Sequence, residues 1–263
     1  MTFNKRSSFA ITKSVLFALI LREMRTKFGL RRFGFFWLFF EPIAQISLIM
    51  ALLYFRGRTD VDGIPFPMFL LTGMVPFFLM RGIMFKGMEA VNANRALFSY
   101  KQITPFDAIL ARTIIEVILS ACVYVILLLA LGFFFGYSIA IHMPLRWLGT
   151  LAVAITLAFS FALLFCMLIE VMPDSRTFIR ILSFPLYIIS GVIFPIWILP
   201  PDVLDWFLWN PFMHIIDELR MSVFEYYPNH EGVSLFYPLK IAVVLLFVSL
   251  ALYRQRRLKL VSL

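Results

Sequence analysis

Charged and polar side chains within apolar stretches are the residues of this sequence best suited to chemistry. Glu41 lies inside a long apolar stretch, where a carboxylate costs about 2.5–3.5 kcal/mol on insertion scales. Helical spacing places Trp37, Glu41 and Gln45 on one face, which continues through Leu48 and Leu52. This face is predicted either to line a pore or to hydrogen-bond to a neighbouring helix, and the pattern leaves both open.

A second polar feature is the pair Arg112 and Glu116 at the start of another apolar stretch. Residues four apart are neighbours on a helix. The spacing therefore predicts an intramembrane ion pair between them, and it favours a packing role over a substrate role.

A polar and aromatic face recurs later, formed by Ser183, Tyr187, Ser190, Phe194 and Trp197. Aromatic rings offer a flat apolar surface on which sugar rings can stack, and the same rings also pack helices together. The face is predicted to be either a sugar-contacting wall or a packed helix surface.

Motifs for several chemistries are absent from the sequence. It contains no G-x-x-x-x-G-K-[ST], no H-E-x-x-H and no G-x-S-x-G, so a P-loop, a zincin site and a nucleophile elbow are excluded. Cys122 and Cys166 are far apart in sequence and show no metal-binding spacing. We therefore expect no catalytic residue, no metal and no cofactor on this chain.

The composition indicates that lipid is part of the solvent of this protein. Apolar residues make up 62% of the 263 residues and charged residues 15%, against about 45–50% and about 25% in soluble proteins. The net charge of +9 is attributed to basic loops on the inner side of a membrane, not to nucleic-acid binding.

The predicted fold is all-α and polytopic, and six apolar runs of the sequence are interpreted as transmembrane helices. They are residues 33–55, 67–85, 106–135, 147–169, 178–199 and 235–253. Lys and Arg accumulate in the segments that face inward when both termini are cytoplasmic, so this orientation is predicted.

Three segments flank or interrupt these spans. The basic segment 1–32 is predicted to form a cytoplasmic interface helix, or else a tail that only sets orientation. The connector 200–234, rich in aromatic residues and proline, is predicted to form external re-entrant helices or a small external cap. The basic segment 254–263 is predicted to be a cytoplasmic tail.

Several stretches together resemble the permease subunits of type-2 ABC exporters that move capsular polysaccharide. They are 21–29 (LREMRTKFG), 34–42 (GFFWLFFEP), 69–78 (FLLTGMVPFF), 111–116 (ARTIIE), 186–195 (LYIISGVIFP), 208–214 (LWNPFMH) and 231–234 (EGVS). They occur in the family's order over most of the chain. O-antigen export permeases have a similar topology, so the resemblance supports an exporter more firmly than a capsule exporter.

The resemblance implies a half-transporter in the bacterial inner membrane. Two copies would form a conduit for lipid-linked polysaccharide, and two copies of a separate ATP-binding-cassette ATPase, carrying ATP and Mg, would drive it. A periplasmic co-polymerase and an outer-membrane polysaccharide channel are further implied partners.

The resemblance also implies roles for individual residues. The family's coupling helix corresponds to residues 92–103, with an amphipathic turn on the membrane as the alternative. The implied coupling residues are Asn94, Arg95, Leu97, Phe98, Tyr100 and Lys101. The implied channel-lining residues are Trp37, Glu41, Gln45, Tyr187, Ser190, Phe194 and Trp197. The basic residues expected to attract an anionic lipid or sugar head are Arg22, Arg25, Lys27, Arg31 and Arg32.

Other functions are weighed beside this one. A teichoic-acid or O-antigen exporter shares the same features. An ion-coupled transporter would centre on Glu41, and a lipid-modifying enzyme would use His214, Asp217 or Glu218.

Overall fold

The computed structural model describes residues 7–29, 34–57, 60–99, 102–228, 230 and 232–262. The α-helices are α1 Ser8–Gly29, α2 Gly34–Phe55, α3 Phe66–Met88, α4 Ala90–Asn94, α5 Pro105–Phe135, α6 Pro144–Val171, α7 Ser175–Ile189, α8 Pro201–Phe207, α9 Pro211–Val223 and α10 Phe236–Ser262. Two 3₁₀ turns, Arg95–Ser99 and Ile196–Ile198, and a hairpin of β1 Asp60–Val61 with β2 Ile64–Pro65 complete the described elements. The helical prediction is confirmed, and the hairpin is an addition to it.

Four of the described helices are long and apolar enough to cross a membrane by length and composition. They are Phe66–Met88, Pro105–Phe135, Pro144–Val171 and Phe236–Arg256. The apolar segment Phe39–Phe55 within α2 is shorter. The structure thus contains four clear spans where the sequence predicts six.

Helix α3 lies at the centre of the bundle. It is apolar around its circumference and buried over most of its length, as expected of a helix surrounded by protein. Helices α5 and α6 pack along it, and α9 packs against its first half through the contact of Phe212 with Phe77. Helix α10 packs on α6, where Ser160 donates a hydrogen bond to the carbonyl of Ala242 at 3.1 Å.

The start of α5 is fixed by local sequence. Thr104 and Asp107 form a capping box, in which each side chain accepts a hydrogen bond from the backbone N–H of the other. Pro105 occupies the first helical position, where its missing N–H costs nothing. The charged side chains of the first turns of α5 are therefore placed at a defined end of the bundle.

Helix α7 ends at Ile189, so the predicted continuous span 178–199 is divided. Gly191 has a left-handed backbone with φ of +66°, a conformation that favours glycine. The side chain of Asn210 donates to Ser190 Oγ at 3.0 Å, which holds α9 against this turn. A 15-residue helix is about 22 Å long, shorter than a hydrocarbon core of about 30 Å.

Candidate functional site

A layer of charged side chains lies where α3 ends and α5 begins, beside α1 and α4, at what we call the α4 end of the bundle. Lys86 on α3 pairs with Glu116 on α5, with Nζ and Oε1 2.7 Å apart. Arg112 pairs with Glu23 of α1 at 3.0 Å and donates to the carbonyl of Lys86 at 2.8 Å. The predicted pairing of Arg112 with Glu116 is wrong, because each side chain has a partner on another helix.

Glu89 is the residue between α3 and α4, and it contacts two arginines of α7. Its Oε1 accepts a hydrogen bond from Arg180 Nη2 at 3.1 Å and forms an ion pair with Arg176, whose Nε lies 3.0 Å away. We call this three-residue cluster the Glu89 clamp. Near it, Met88, Ile169 and Ile179 form a small apolar cluster. The clamp and this cluster join the first turns of α7 to the end of α3 and to α6.

Asn94 at the end of α4 makes a second connection between helices. Its side-chain amide donates to the carbonyl of Ala90 at 2.8 Å, and its oxygen accepts from Arg22 of α1. Asn94 therefore joins α4 to α1. Of the implied basic residues, Arg25 is exposed, whereas the Lys27 side chain, Arg31 and Arg32 lie outside the described part.

The implied coupling residues fall into three groups. Arg95 is exposed beside Ala96, and Asn92 and Ala93 are exposed on α4. Leu97 is half-buried and lines a cavity against α1, and Asn94 and Phe98 are buried within the chain. Tyr100 and Lys101 lie outside the described residues. Among the described residues of the segment 92–103, the exposed ones are therefore residues 92–93, 95–96 and 102.

The predicted face of α2 is largely uncovered by the rest of the described chain. Trp37 is 50% exposed, Leu48 61% and Leu52 58%, and Glu41 and Gln45 are exposed as well. A face that a single chain leaves uncovered is available to a second copy, to lipid or to a substrate.

The predicted polar and aromatic face of α7 packs inside the chain. Tyr187 is buried and stacks on Phe78 with ring centroids 5.8 Å apart, and Ser190 is fully buried. Trp197 is half-buried and donates its indole N–H to Asp62 of the hairpin. Phe194 is half-buried. For Tyr187 and Ser190, the structure therefore agrees with a packed helix surface and not with a sugar-contacting wall.

The opposite side of α7 is an exposed apolar surface. Phe178, Ile181, Leu182 and Phe184 are each more than half exposed. Lipid or a second copy can cover such a surface, since a single chain does not.

A buried charged residue on α9 has no counterpart in the sequence-based predictions. Arg220 is fully buried and donates to the carbonyls of Gly191 and Val192, both at 2.7 Å. Its guanidinium lies 3.6 Å from the ring centroid of Phe69, and Gly73 of α3 leaves room for it. Arg220 thus connects α9, α3 and the turn after α7.

Further polar contacts surround α9, which lies outside the four clear spans. Tyr227 donates to Asp217, and burial raises the pKa of Asp217 to about 6. Glu218 accepts from Arg146 of α6 at 2.7 Å and 3.0 Å. The only sequence signal for this arrangement is the charged run D-E-L-R after an N-P helix start, and it does not identify partners that lie far away in the chain.

Together these features define a multi-pass membrane subunit. It has a layer of charged side chains at the α4 end and the polar contacts of α9 at the other end. No P-loop motif occurs in its sequence. The family model for ABC-2 type transporters matches residues 14–224, and the chain belongs to this family. It is a multi-pass permease subunit of the inner membrane, of the kind that carries no ATPase site of its own.

Curated relatives match over most of their length. The chain is 35% identical to the polysialic acid transport protein KpsM of Escherichia coli over 95% of this chain and 96% of the relative. It is 27% identical to the capsule polysaccharide export inner-membrane protein BexB of Haemophilus influenzae, over 83% and 82% of the two chains. CtrC of Neisseria meningitidis serogroup B, with the same description, is 26% identical over 82% of each chain.

Proposed function

We propose that this chain is the transmembrane subunit of an ATP-driven exporter that moves lipid-linked capsular polysaccharide across the bacterial inner membrane. It acts as a homodimer with two separate ATPase subunits, which carry ATP and Mg. The similarity to a polysialic acid transport protein over almost the full length of both chains carries this proposal. Family membership favours an ATP-driven mechanism over the ion-coupled one considered for Glu41.

Complementation tests the proposal. The gene, expressed with its ATPase in a bacterium whose capsule permease is deleted, is expected to restore polysaccharide at the cell surface. A matched strain carrying a catalytically inactive ATPase should accumulate polymer inside the cell. Surface polymer that is independent of ATP hydrolysis, or its absence despite a correctly inserted chain, would disprove the proposal.

We place both termini in the cytoplasm, so that the α4 end faces the ATPase. The basic segments at the N-terminus and at the end of α10 then lie on the inner side, in agreement with the positive-inside rule. In this arrangement α2 and the segment 178–199 provide the fifth and sixth crossings, with α7 completed by the turn and the 3₁₀ segment after it. Helices α8 and α9 lie on the periplasmic side.

The ATPase docks on the exposed part of the coupling segment. Asn92, Ala93, Arg95 and Ala96 are exposed there, and they take the docking role that the resemblance assigns to this segment. Phe98 and Asn94 act from behind this surface, because they anchor the segment to its own chain.

Movement of the coupling segment is transmitted along two connections. The Glu89 clamp joins it to α7, and the contact of Asn94 with Arg22 joins it to α1. A displacement of α4 is thus transmitted directly to α7, whose exposed apolar side faces the second copy. Helix α3 is buried and serves as the fixed frame against which α7 moves.

The conduit forms between the two copies. Trp37, Glu41 and Gln45 line it from the exposed face of α2, and Phe194 and Trp197 line its periplasmic part. Tyr187 and Ser190, which are buried, support this wall from behind. Aromatic rings contact each sugar weakly, so that a polymer slides along them without being trapped.

The polymer enters from the inner leaflet and leaves through further partners. Basic residues of α1 and of the segment after it attract the anionic end of the substrate: Arg22, Arg25, Lys27, Arg31 and Arg32. A periplasmic co-polymerase and an outer-membrane channel receive the polymer on the other side.

A further inference from the structure

A groove between α2, α3 and α5 brings two uncompensated opposite charges together. Its volume is about 380 Å³, which is within the range of small-molecule sites. It is open on one side, and its lining residues come from all three helices: Glu41, Pro42, Gln45, Ile46, Val75, Phe78, Arg81, Gly82, Phe85, Lys86, Glu116, Leu119, Ser120 and Val123.

The positive charge of the groove is Arg81. It lies within the apolar helix α3, between Phe78 and Phe85, with its guanidinium 5.9 Å and 5.4 Å from their ring centroids. No carboxylate lies within ion-pair distance of it among the residues that the structure describes. The nearby Lys86 differs, because Glu116 neutralises it.

The negative charge is Glu41 on the facing wall, formed by α2. Its side chain is exposed and makes no ion pair within the described part of the chain. An unpaired charge inside a membrane span is costly, and such residues pair or bind a ligand. One ligand that carries both a negative and a positive group would satisfy Glu41 and Arg81 together.

We propose that this groove binds the head group of a zwitterionic phospholipid with a primary ammonium group. The phosphate lies on the Arg81 guanidinium, whose planar N–H groups match phosphate oxygens, and the ammonium lies on the Glu41 carboxylate. The acyl chains lie along the apolar wall formed by Ile46, Val75 and Leu119. The bound lipid fills the space between α2 and the rest of the bundle.

Charge balance selects this ligand over an anionic lipid. Lys86 and Glu116 cancel one another, so the groove presents one positive and one negative group. An anionic head group such as glycerol phosphate satisfies Arg81 and leaves Glu41 unpaired. A choline head group carries a positive charge without N–H donors, so it satisfies Glu41 less completely.

Native mass spectrometry of the full-length chain in detergent tests the proposal. The probes are phosphatidylethanolamine, phosphatidylglycerol and phosphatidylcholine with identical acyl chains. Wild type is expected to retain phosphatidylethanolamine roughly tenfold more tightly than phosphatidylglycerol, since one charged hydrogen-bonded contact is lost with the latter. Equal retention of the two lipids, or tighter retention of phosphatidylglycerol, overturns the proposal.

Two substitutions assign the contacts. Arg81→Gln is expected to reduce retention of both lipids, whereas Glu41→Gln is expected to remove the preference and leave phosphatidylglycerol bound. Arg254→Gln and Glu225→Gln, which change exposed residues outside the groove, are the matched controls. If Glu41 and Arg81 pair directly with each other, lipid retention should be unchanged in both groove variants. That result would disprove the proposal.

The measurement does not depend on the exporter function. It needs neither polysaccharide nor ATP, so a failed export assay leaves its outcome intact. If Arg81→Gln does not fold, Arg81→Lys keeps the charge and loses the planar donor pair. Arg81→Lys is then expected to retain the phospholipids measurably but less tightly than wild type. Retention equal to that of wild type contradicts the proposed role of the guanidinium.

Discussion

The Glu89 clamp provides the sharpest test of how movement reaches α7. Glu89→Gln removes the carboxylate that both Arg176 and Arg180 contact, while the shape of the side chain is kept. The Glu89 side chain is 23% exposed, and the two arginines are 40% and 54% exposed. Ion pairs with this much solvent access contribute about 0.2–1 kcal/mol each.

The two contacts together therefore amount to about 1 kcal/mol, which corresponds to roughly a fivefold change in an equilibrium constant. We expect Glu89→Gln to lower polysaccharide export about fivefold at a given ATPase rate. The melting temperature should fall by only about 2–4 °C, so unfolding does not explain the loss. Export and ATP hydrolysis are measured in the same inside-out vesicles, with the exposed Glu225→Gln as control.

Charge reversal separates a specific contact from a general effect of charge. Glu89→Arg is expected to abolish export, because three guanidiniums then repel one another. Adding Arg176→Glu restores an opposite pair across the same gap and should recover part of the activity. Normal export by Glu89→Gln, or no recovery in the double variant, would refute transmission through this clamp.

Three further outcomes are expected. Gly73→Ala places a methyl group in steric conflict with Arg220 Nη2 and should lower stability by about 1–3 kcal/mol, whereas Gly149→Ala, with open space around it inside α6, should not lower the melting temperature. Burial raises the pKa of Asp217 to about 6 from an ordinary value of 3.8, so the folded chain holds a proton between these pH values that the unfolded chain has lost. Stability should then fall as the pH rises from about 4 to 6, and melting curves of Asp217→Asn should lack this part of the fall; an identical pH profile would contradict the raised pKa. Arg95→Glu changes an exposed residue of the coupling segment and should reduce co-purification of the ATPase without changing the melting temperature, while full co-purification would exclude this docking surface.

The polar contacts at the α9 end connect this part of the chain to α3 and to the turn after α7. Arg220 binds carbonyls freed by the turn after α7, so a charge that is expensive to bury is used where backbone acceptors are left without helical partners. The same arginine contacts α3 through Phe69. The α9 end is thus attached to the central helix, while α7 is attached to the α4 end by the Glu89 clamp.

Local patterns of the sequence determined much of the secondary structure. Long apolar runs identified the spans that became α3, α5, α6 and α10, since a membrane needs about 20 apolar residues for each crossing. The start of α5 follows from Thr104, Pro105 and Asp107, which act within one turn. That Trp37, Glu41 and Gln45 share one face of α2 also follows from spacing, because residues three and four apart share a helix face whatever surrounds them.

Tertiary structure alone decided the partners of the charged residues. Arg112 and Glu116 are neighbours on α5, yet their partners lie on α1 and α3, because long side chains bind the nearest opposite charge in space. The burial of Arg220 depends on acceptors about 29 residues away at Gly191 and on the space left by Gly73. Helix spacing fixes which side chains share a face, and only the packing of other helices against that face fixes what they contact.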